Sequence, residues 1–273
     1  MVRKCLKIEL YRLWHNTYIY LAILSGCIIS VIHIITIVYP RSLYLVPFIN
    51  LEYPYSIFNT CLAMDYTSVY PVIFLYVIPL MIVFPFGASY YQDLRTGYIR
   101  QVYIRTDRKS WLLAKYITVF FSGAVIYVIP FVFDTILTAG FIPALLPQRA
   151  TAMYGVLSGS FLNELFYTHP WIYYVIFLFI GMVYAGSLTC LALAVTPVFH
   201  NSFFVLMTPV FFVFVTNAVF DLFHIGIFQI LRHMSPIGMC AVINGGACIG
   251  EMVLLLAVSF CVFMKGGKRL DVY

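Results

Sequence analysis

The feature that most constrains this chain is a set of six apolar runs: Tyr18–Tyr39, Val69–Ala88, Trp111–Ala139, Trp171–Val195, Ser202–Phe220 and Ile237–Met264. Each is about as long as the 20 or so apolar residues that carry a helix across a bilayer. None alternates with period two, which disfavours a β-barrel. A helix satisfies its own backbone hydrogen bonds in lipid. The expected fold class is therefore all-α, a polytopic membrane protein with six transmembrane helices in a single transmembrane domain, residues 1–273. Composition agrees: 63% of residues are hydrophobic and 10% charged, where a soluble domain carries about 25% charged. That excludes an ordinary soluble enzyme core, and it excludes disorder. No stretch is polar and long enough for a second, soluble domain, so any ATPase or catalytic domain has to belong to another chain.

The net charge of +6 reads as a topology signal and not as a nucleic-acid footprint. Thirteen of the 16 Lys and Arg fall on one side of the six-span layout. They are Arg3, Lys4, Lys7 and Arg12 at the N-terminus, Arg95, Arg100, Arg105, Arg108, Lys109 and Lys115 around the second loop, and Lys265, Lys268 and Arg269 at the C-terminus. Only Arg41, Arg149 and Arg232 lie opposite. The positive-inside rule then places both termini in the cytoplasm of a multi-pass cell-membrane protein, with membrane lipid as a partner and nucleic acid not. The first run is too long for a signal-peptide core, and no small-residue cleavage site follows it. Residues 1–17 read as an amphipathic interfacial helix, with Val2, Leu6, Leu10, Leu13 and Trp14 on one face.

Pro79 and Pro85 interrupt the second run and Pro130 the third, as membrane helices tolerate. The outer loops, 40–68 and 140–170, are rich in Tyr, Phe and Leu, which suggests interfacial helices. The stretch 221–236 reads either as a re-entrant segment or as a plain loop. Seven Cys are scattered without CxxC or zinc spacing, so neither a metal site nor a disulfide framework is expected. A Cys61–Cys240 bridge is the one pairing the layout permits.

The polar segment most informative about function is the loop 89–110. It combines basic residues with an apolar row, Leu94, Tyr98 and Val102, at i, i+4 spacing. Gly97 divides it into two short helical pieces. A docking surface for a cytoplasmic partner accounts for both the charge and the apolar row. A loop that only fixes topology accounts for the charge alone. The order of features here resembles permease subunits of the ABC-2 exporter type: a span, an aromatic-rich exit, Asp93, Gly97, an apolar helix, the basic pair Arg108-Lys109, Trp111-Leu112, then Lys115 and a span. Asp93 stands where Glu is common in that family, and Tyr98 where Thr usually follows the glycine. The N-terminal helix, the six spans and Ser235-Pro236 before the last span extend the likeness over most of the chain.

The resemblance implies a coupling helix seated on a separate ABC ATPase subunit, with Asp93, Leu94, Gly97, Tyr98, Val102, Arg105 and Arg108 as the ATPase-coupling residues. It also implies a second permease subunit, in a homodimer or heterodimer. The cargo would be an amphiphilic or hydrophobic peptide, lipid or drug. No cofactor is expected in this chain. ATP and Mg would sit on the partner, since the phosphate-wrapping GxxxxGK[ST] is absent and Gly266-Gly267-Lys268-Arg269 does not supply it. The chain itself is thus expected to be a transport subunit and not an enzyme; HExxH and a pair of span Asp residues are likewise missing.

Polar residues inside the apolar runs are the remaining candidates. Asp134 is expected near the outer interface, where a carboxylate is solvated. His33 reads as a lone, packed, neutral residue. Glu251 lies near mid-span, where an ionisable group is costly and faces a cavity or partner. Two readings stand for it: a polar cavity or subunit interface, or a protonated acid hydrogen-bonded within the bundle. Gly246 and Gly250 form a small-xxx-small pair for close helix packing. The alternative to an ABC-2 permease is a stand-alone secondary transporter or channel that uses Glu251.

Overall fold

The computed structural model describes residues 1–43, 55–149, 154–156, 159–197, 199, 201–225, 228–235 and 245–269. The described residues are helical and contain no strand. In chain order the helices are α1 (Val2–Trp14), α2 (Thr17–His33), α3 (Tyr39–Leu43), α4 (Ile57–Thr60), α5 (Tyr70–Val83), α6 (Ser89–Arg95), α7 (Tyr98–Arg105), α8 (Arg108–Ala139), α9 (Asn163–Thr168), α10 (Pro170–Val195), α11 (Ser202–Leu222), α12 (Ile230–His233) and α13 (Gly245–Arg269). A π-helical turn, Ile34–Val38, joins α2 to α3, so Thr17–Leu43 is continuous.

Among the described residues, five helices are long and apolar enough to cross a membrane: Thr17–Leu43, Arg108–Ala139, Pro170–Val195, Ser202–Leu222 and Gly245–Gly267. The expected second span, Val69–Ala88, is shorter than its apolar run. Its helix α5 has 14 residues, about 21 Å at 1.5 Å per residue, against roughly 30 Å of hydrocarbon. Pro79 is accommodated inside α5. Pro85 is not, because a proline ring lacks the N–H and collides with the carbonyl four residues back. The chain turns through Phe84–Ala88 and restarts as α6. Asn16 serves this break from the α1–α2 junction. Its Nδ2 donates to the Pro85 carbonyl at 2.8 Å, while its Oδ1 caps α2 by accepting the Tyr18 N–H at 3.0 Å.

The core is built on α8, 32 residues long, packed against α10. Glycine makes the close approach possible. A Cβ on Gly123 would collide with Thr189 Oγ1, and one on Gly181 with the Tyr127 hydroxyl. The α1, α2, α5 and α13 helices pack around this pair. By contrast, α11 and α13 each expose a long apolar face, with Phe203, Phe211 and Val215 on one and Ile249, Val253 and Leu254 on the other.

The outer-loop segments contain short helices, α4 and α9 among them. Helix α4 begins with a reciprocal cap between Ser56 and Asn59, of the capping-box kind. The two loops join where Ile57 N–H donates to the Pro143 carbonyl and Ser56 Oγ to the Leu145 carbonyl. Cys61 is a buried free thiol, and Cys240 lies outside the described residues.

Candidate functional site

The loop 89–110 forms the two expected pieces. Helix α6 ends at Arg95, and Gly97 turns the chain with φ 72° before α7, a left-handed conformation that glycine adopts without a Cβ penalty. Asp107 caps α8 by accepting from the Ser110 N–H. The apolar row behaves differently from its simplest reading. Leu94, Tyr98 and Val102 are half-buried and pack inward against the protein's own core, with Ile99 fully buried beside them. The residues that α7 turns outward are Arg100, Gln101, Ile104 and Arg105, and Ile104 is 85% exposed. Arg108 does not face outward either. It donates to the Gly267 carbonyl of α13 and lies 5.2 Å from the centre of the Tyr103 ring.

Two of the predicted positions, Asp93 and Lys115, meet each other. Lys115 Nζ donates to Asp93 Oδ2 at 2.7 Å and to Glu9 Oε2 at 3.0 Å. Arg12 closes the ring, donating to Glu9 Oε1 at 2.8 Å and to both oxygens of Asp93. The Lys115 side chain is fully buried, and those of Glu9 and Asp93 nearly so. Aromatic faces complete the shell, with Phe86 4.9 Å from Lys115 Nζ and Tyr98 4.4 Å from Arg12 Cζ. Burial works against the charge on Arg12, but its hydrogen bond to Asp93 and the charges of Asp93 and Glu9 outweigh that and raise its pKa above the ordinary value. The quartet thereby ties α1, α6 and the base of α8 together. It also explains the pose of α1, which turns Cys5, Glu9 and Leu13 to the protein while Trp14 stays 43% exposed. Between α1 and α7 a groove of about 200 Å³ is lined by Ile8, Tyr98, Val102, Trp111, Gln101 and Arg105, among others.

The far end of α8 carries a second quartet. Asp134 is fully buried and not solvated. Its Oδ1 accepts from His33 Nδ1 at 2.9 Å, and its Oδ2 accepts from the Leu62 N–H at 2.7 Å. His33 Nε2 lies 3.6 Å from Asp65 Oδ2, and Arg41 Nη1 3.2 Å from the same oxygen. Asp65 Oδ1 accepts from the Thr67 N–H and hydroxyl. Burial pushes the Asp65 carboxyl up, but His33, Thr67 and Arg41 pull it further down, to about 2. His33 is thus packed as expected, but it is not alone.

Glu251 faces the bundle. Its Oε2 lies 2.7 Å from His233 Nδ1 and 3.1 Å from the Tyr184 hydroxyl, and its side chain is only 13% exposed. The carboxyl is thus in hydrogen-bonding contact within the bundle, a geometry common to both of its readings. His233 is delivered by residues 229–235, which fold into the core, where the Tyr127 hydroxyl donates to the Met234 carbonyl. The glycine expectation fails within the chain. Gly246 and Gly250 are exposed, and a Cβ added to Gly250 would meet nothing within 4 Å. Gly245, Gly266 and Gly267 are the packed ones, against Phe161, Pro197 and Leu112.

Sequence reasoning missed Glu9, Arg12, Arg41, Asp65, Tyr184 and His233. One signal was present: with ten acidic residues in the whole chain, each carboxylate near an apolar run needs a buried cation or donor. Comparison with protein-family models, with curated proteins and with solved structures finds no match to this chain.

Proposed function

We propose that the chain is the permease subunit of an ABC-2-like exporter. In this reading six segments span the membrane, the α1 end of the bundle faces the cytoplasm, and a separate ATPase docks on α6–α7. The observation that carries it is the burial of Asp93 and Lys115, two positions that the family resemblance singles out, in one charged quartet. A buried, multiply bonded ion network resists shear, because removing any one member strands a charge in the low-dielectric interior. A push on α6–α7 is therefore passed to α1 and to the 32-residue α8 instead of being absorbed by loop flexing.

Charge supports a docking role. Glu9 and Asp93 are turned inward, while Arg3, Lys4, Lys7, Arg95, Arg100 and Arg105 are exposed. The surface suits a partner whose carboxylates surround an apolar pocket for Ile104. The cargo would be amphiphilic or hydrophobic, carried between this chain and a second permease subunit. ATP and Mg would be bound by the ATPase. Co-purification with the ATPase, followed by assay of cargo-stimulated hydrolysis, tests the reading. Ile104→Asp and Arg100→Glu are expected to abolish association while the permease still inserts and folds. Undiminished association of both would remove the dock from this face.

One observation favours a second reading, a secondary transporter. The Glu251–His233–Tyr184 cluster places an acid and an imidazole in contact inside the bundle, and such groups serve as proton relays in membrane carriers. Proton-driven uptake or efflux by the chain alone in vesicles, lost in Glu251→Gln, would favour it over the ATPase-driven reading.

A further inference from the structure

We propose that Asp65, His33 and Asp134 form a protonation-controlled latch that holds the loop 61–69 onto α2 and α8. It is closed when the imidazole is charged and released on its Asp65 side when the imidazole is neutral. The inference is independent of the transport reading.

Both nitrogens of His33 face carboxylates, Nδ1 towards Asp134 at 2.9 Å and Nε2 towards Asp65 at 3.6 Å. Imidazolium donates from both nitrogens, whereas neutral imidazole has one N–H and one lone pair. In the neutral form one nitrogen must present its lone pair to a carboxylate oxygen. The shorter Asp134 contact keeps the proton. Nε2 meets Asp65 at ion-pair distance without a hydrogen bond, so its attraction to Asp65 rests on the imidazolium charge and it is the side that loses. Charge balance points the same way. The imidazolium and Arg41 offset Asp65 and Asp134, and a neutral His33 leaves one negative charge in surplus on two fully buried carboxylates.

The groups that face the imidazole come from every element around it: Asp65 from the loop, Asp134 from α8, and Tyr70 of α5 with its ring centre 5.7 Å away. Arg41 of α3 reaches it through Asp65, and Thr138 of α8 through Asp134. Arg41 keeps its own contact with Asp65 when the imidazole is neutral, and among these described contacts no cation besides it offsets the two carboxylates. The loop has further tethers, the Leu62 N–H to Asp134 and Arg41 to Asp65 and to the Thr67 hydroxyl, so release loosens residues near Asp65 without detaching the whole segment.

The test is hydrogen exchange of the full chain in detergent or nanodiscs between pH 5.5 and 9, corrected for the intrinsic pH dependence of exchange. Protection over residues 62–69 is expected to fall on the order of tenfold from acid to alkaline pH. Residues 93–98, held by Arg12 and Lys115, should keep theirs. His33→Gln should make the 62–69 profile low and flat. Should that variant fail to fold, Asp65→Asn, which keeps the His33–Asp134 contact, should flatten the profile as well. A wild-type profile that does not change with pH, or one that changes equally in either variant, overturns the latch.

Discussion

The two ends of α8 carry the same charge count built from different chemistry. Near its start, Glu9 and Asp93 are set against Arg12 and Lys115. Near its end, Asp65 and Asp134 are set against Arg41 and His33. The two α8 residues, Lys115 and Asp134, stand about 28 Å apart along the axis. Each quartet joins three stretches of chain that are distant in sequence. The first draws its cations from arginine and lysine, side chains whose ordinary pKa values lie far above the physiological range. The second includes histidine, whose ordinary pKa lies close to it. In the latch proposed above, the same arrangement of charges is therefore conditional at one end only. What sets the difference is a single choice of cation, histidine in place of lysine or arginine.

The largest effect should come from removing the buried ammonium of the first quartet. Lys115→Met leaves Glu9 and Asp93 buried with Arg12 alone, at an expected cost of about 3–5 kcal/mol. His33→Gln keeps a hydrogen-bonding side chain at the other end and should cost about 1–3 kcal/mol. Thermal unfolding in detergent at pH 7 measures both. Equal losses would erase the distinction between the two ends.

A charge-balanced pair sharpens it. Lys115→Met combined with Asp93→Asn removes one cation and one anion together. Its cost should fall below the sum of the single losses by about 1–3 kcal/mol, the range found for residues in one network. Simple additivity would mean that the quartet does not act as a unit.

Acid offers a smaller contrast. Asp65 has its carboxyl lowered from 3.8 to about 2. A depressed acid contributes stability that is fully present above its unfolded pKa and is lost as pH falls through its folded one. Roughly 2 kcal/mol should therefore be present above about pH 5 and fade between pH 4 and 2. Asp65→Asn should lack this limb, which pH-dependent unfolding of the two proteins would reveal.

The smallest effect on stability should belong to Ile104→Ala. The side chain is 85% exposed, and substitution at such a site changes stability by no more than about 0.5 kcal/mol. Its effect should appear only in partner association. A large drop in thermal midpoint would mean that Ile104 packs against the chain itself.

Much of this architecture was legible in apolar run lengths, because the length of a run bounds the helix it can form. The exception is instructive. Val69–Ala88 is apolar throughout, but hydrophobicity carries no information about the carbonyl that Pro85 displaces, and the helix stops at Val83. The bipartite loop was legible for a similar local reason, since Gly97 is the residue that tolerates its φ. The quartets were not legible, because their members meet only through tertiary packing. Glu9 and Asp93 share no local pattern, and neither do His33 and Asp134. Periodicity also misassigned the row Leu94, Tyr98 and Val102. It marks a face as apolar without saying whether the surface beneath it belongs to another protein or to the same one.

Asn16 gives two bends of the backbone a common fastening. The elbow between α1 and α2 and the elbow after α5 each need one half of the same amide, its oxygen for Tyr18 and its nitrogen for Pro85. Neither elbow can straighten without stripping the other of its bond or stretching the amide between them. An Asp at this position would still cap α2, but it would have no hydrogen to offer Pro85. Isosteric replacement thus divides a shared joint into two independent ones while leaving the volume of the site unchanged.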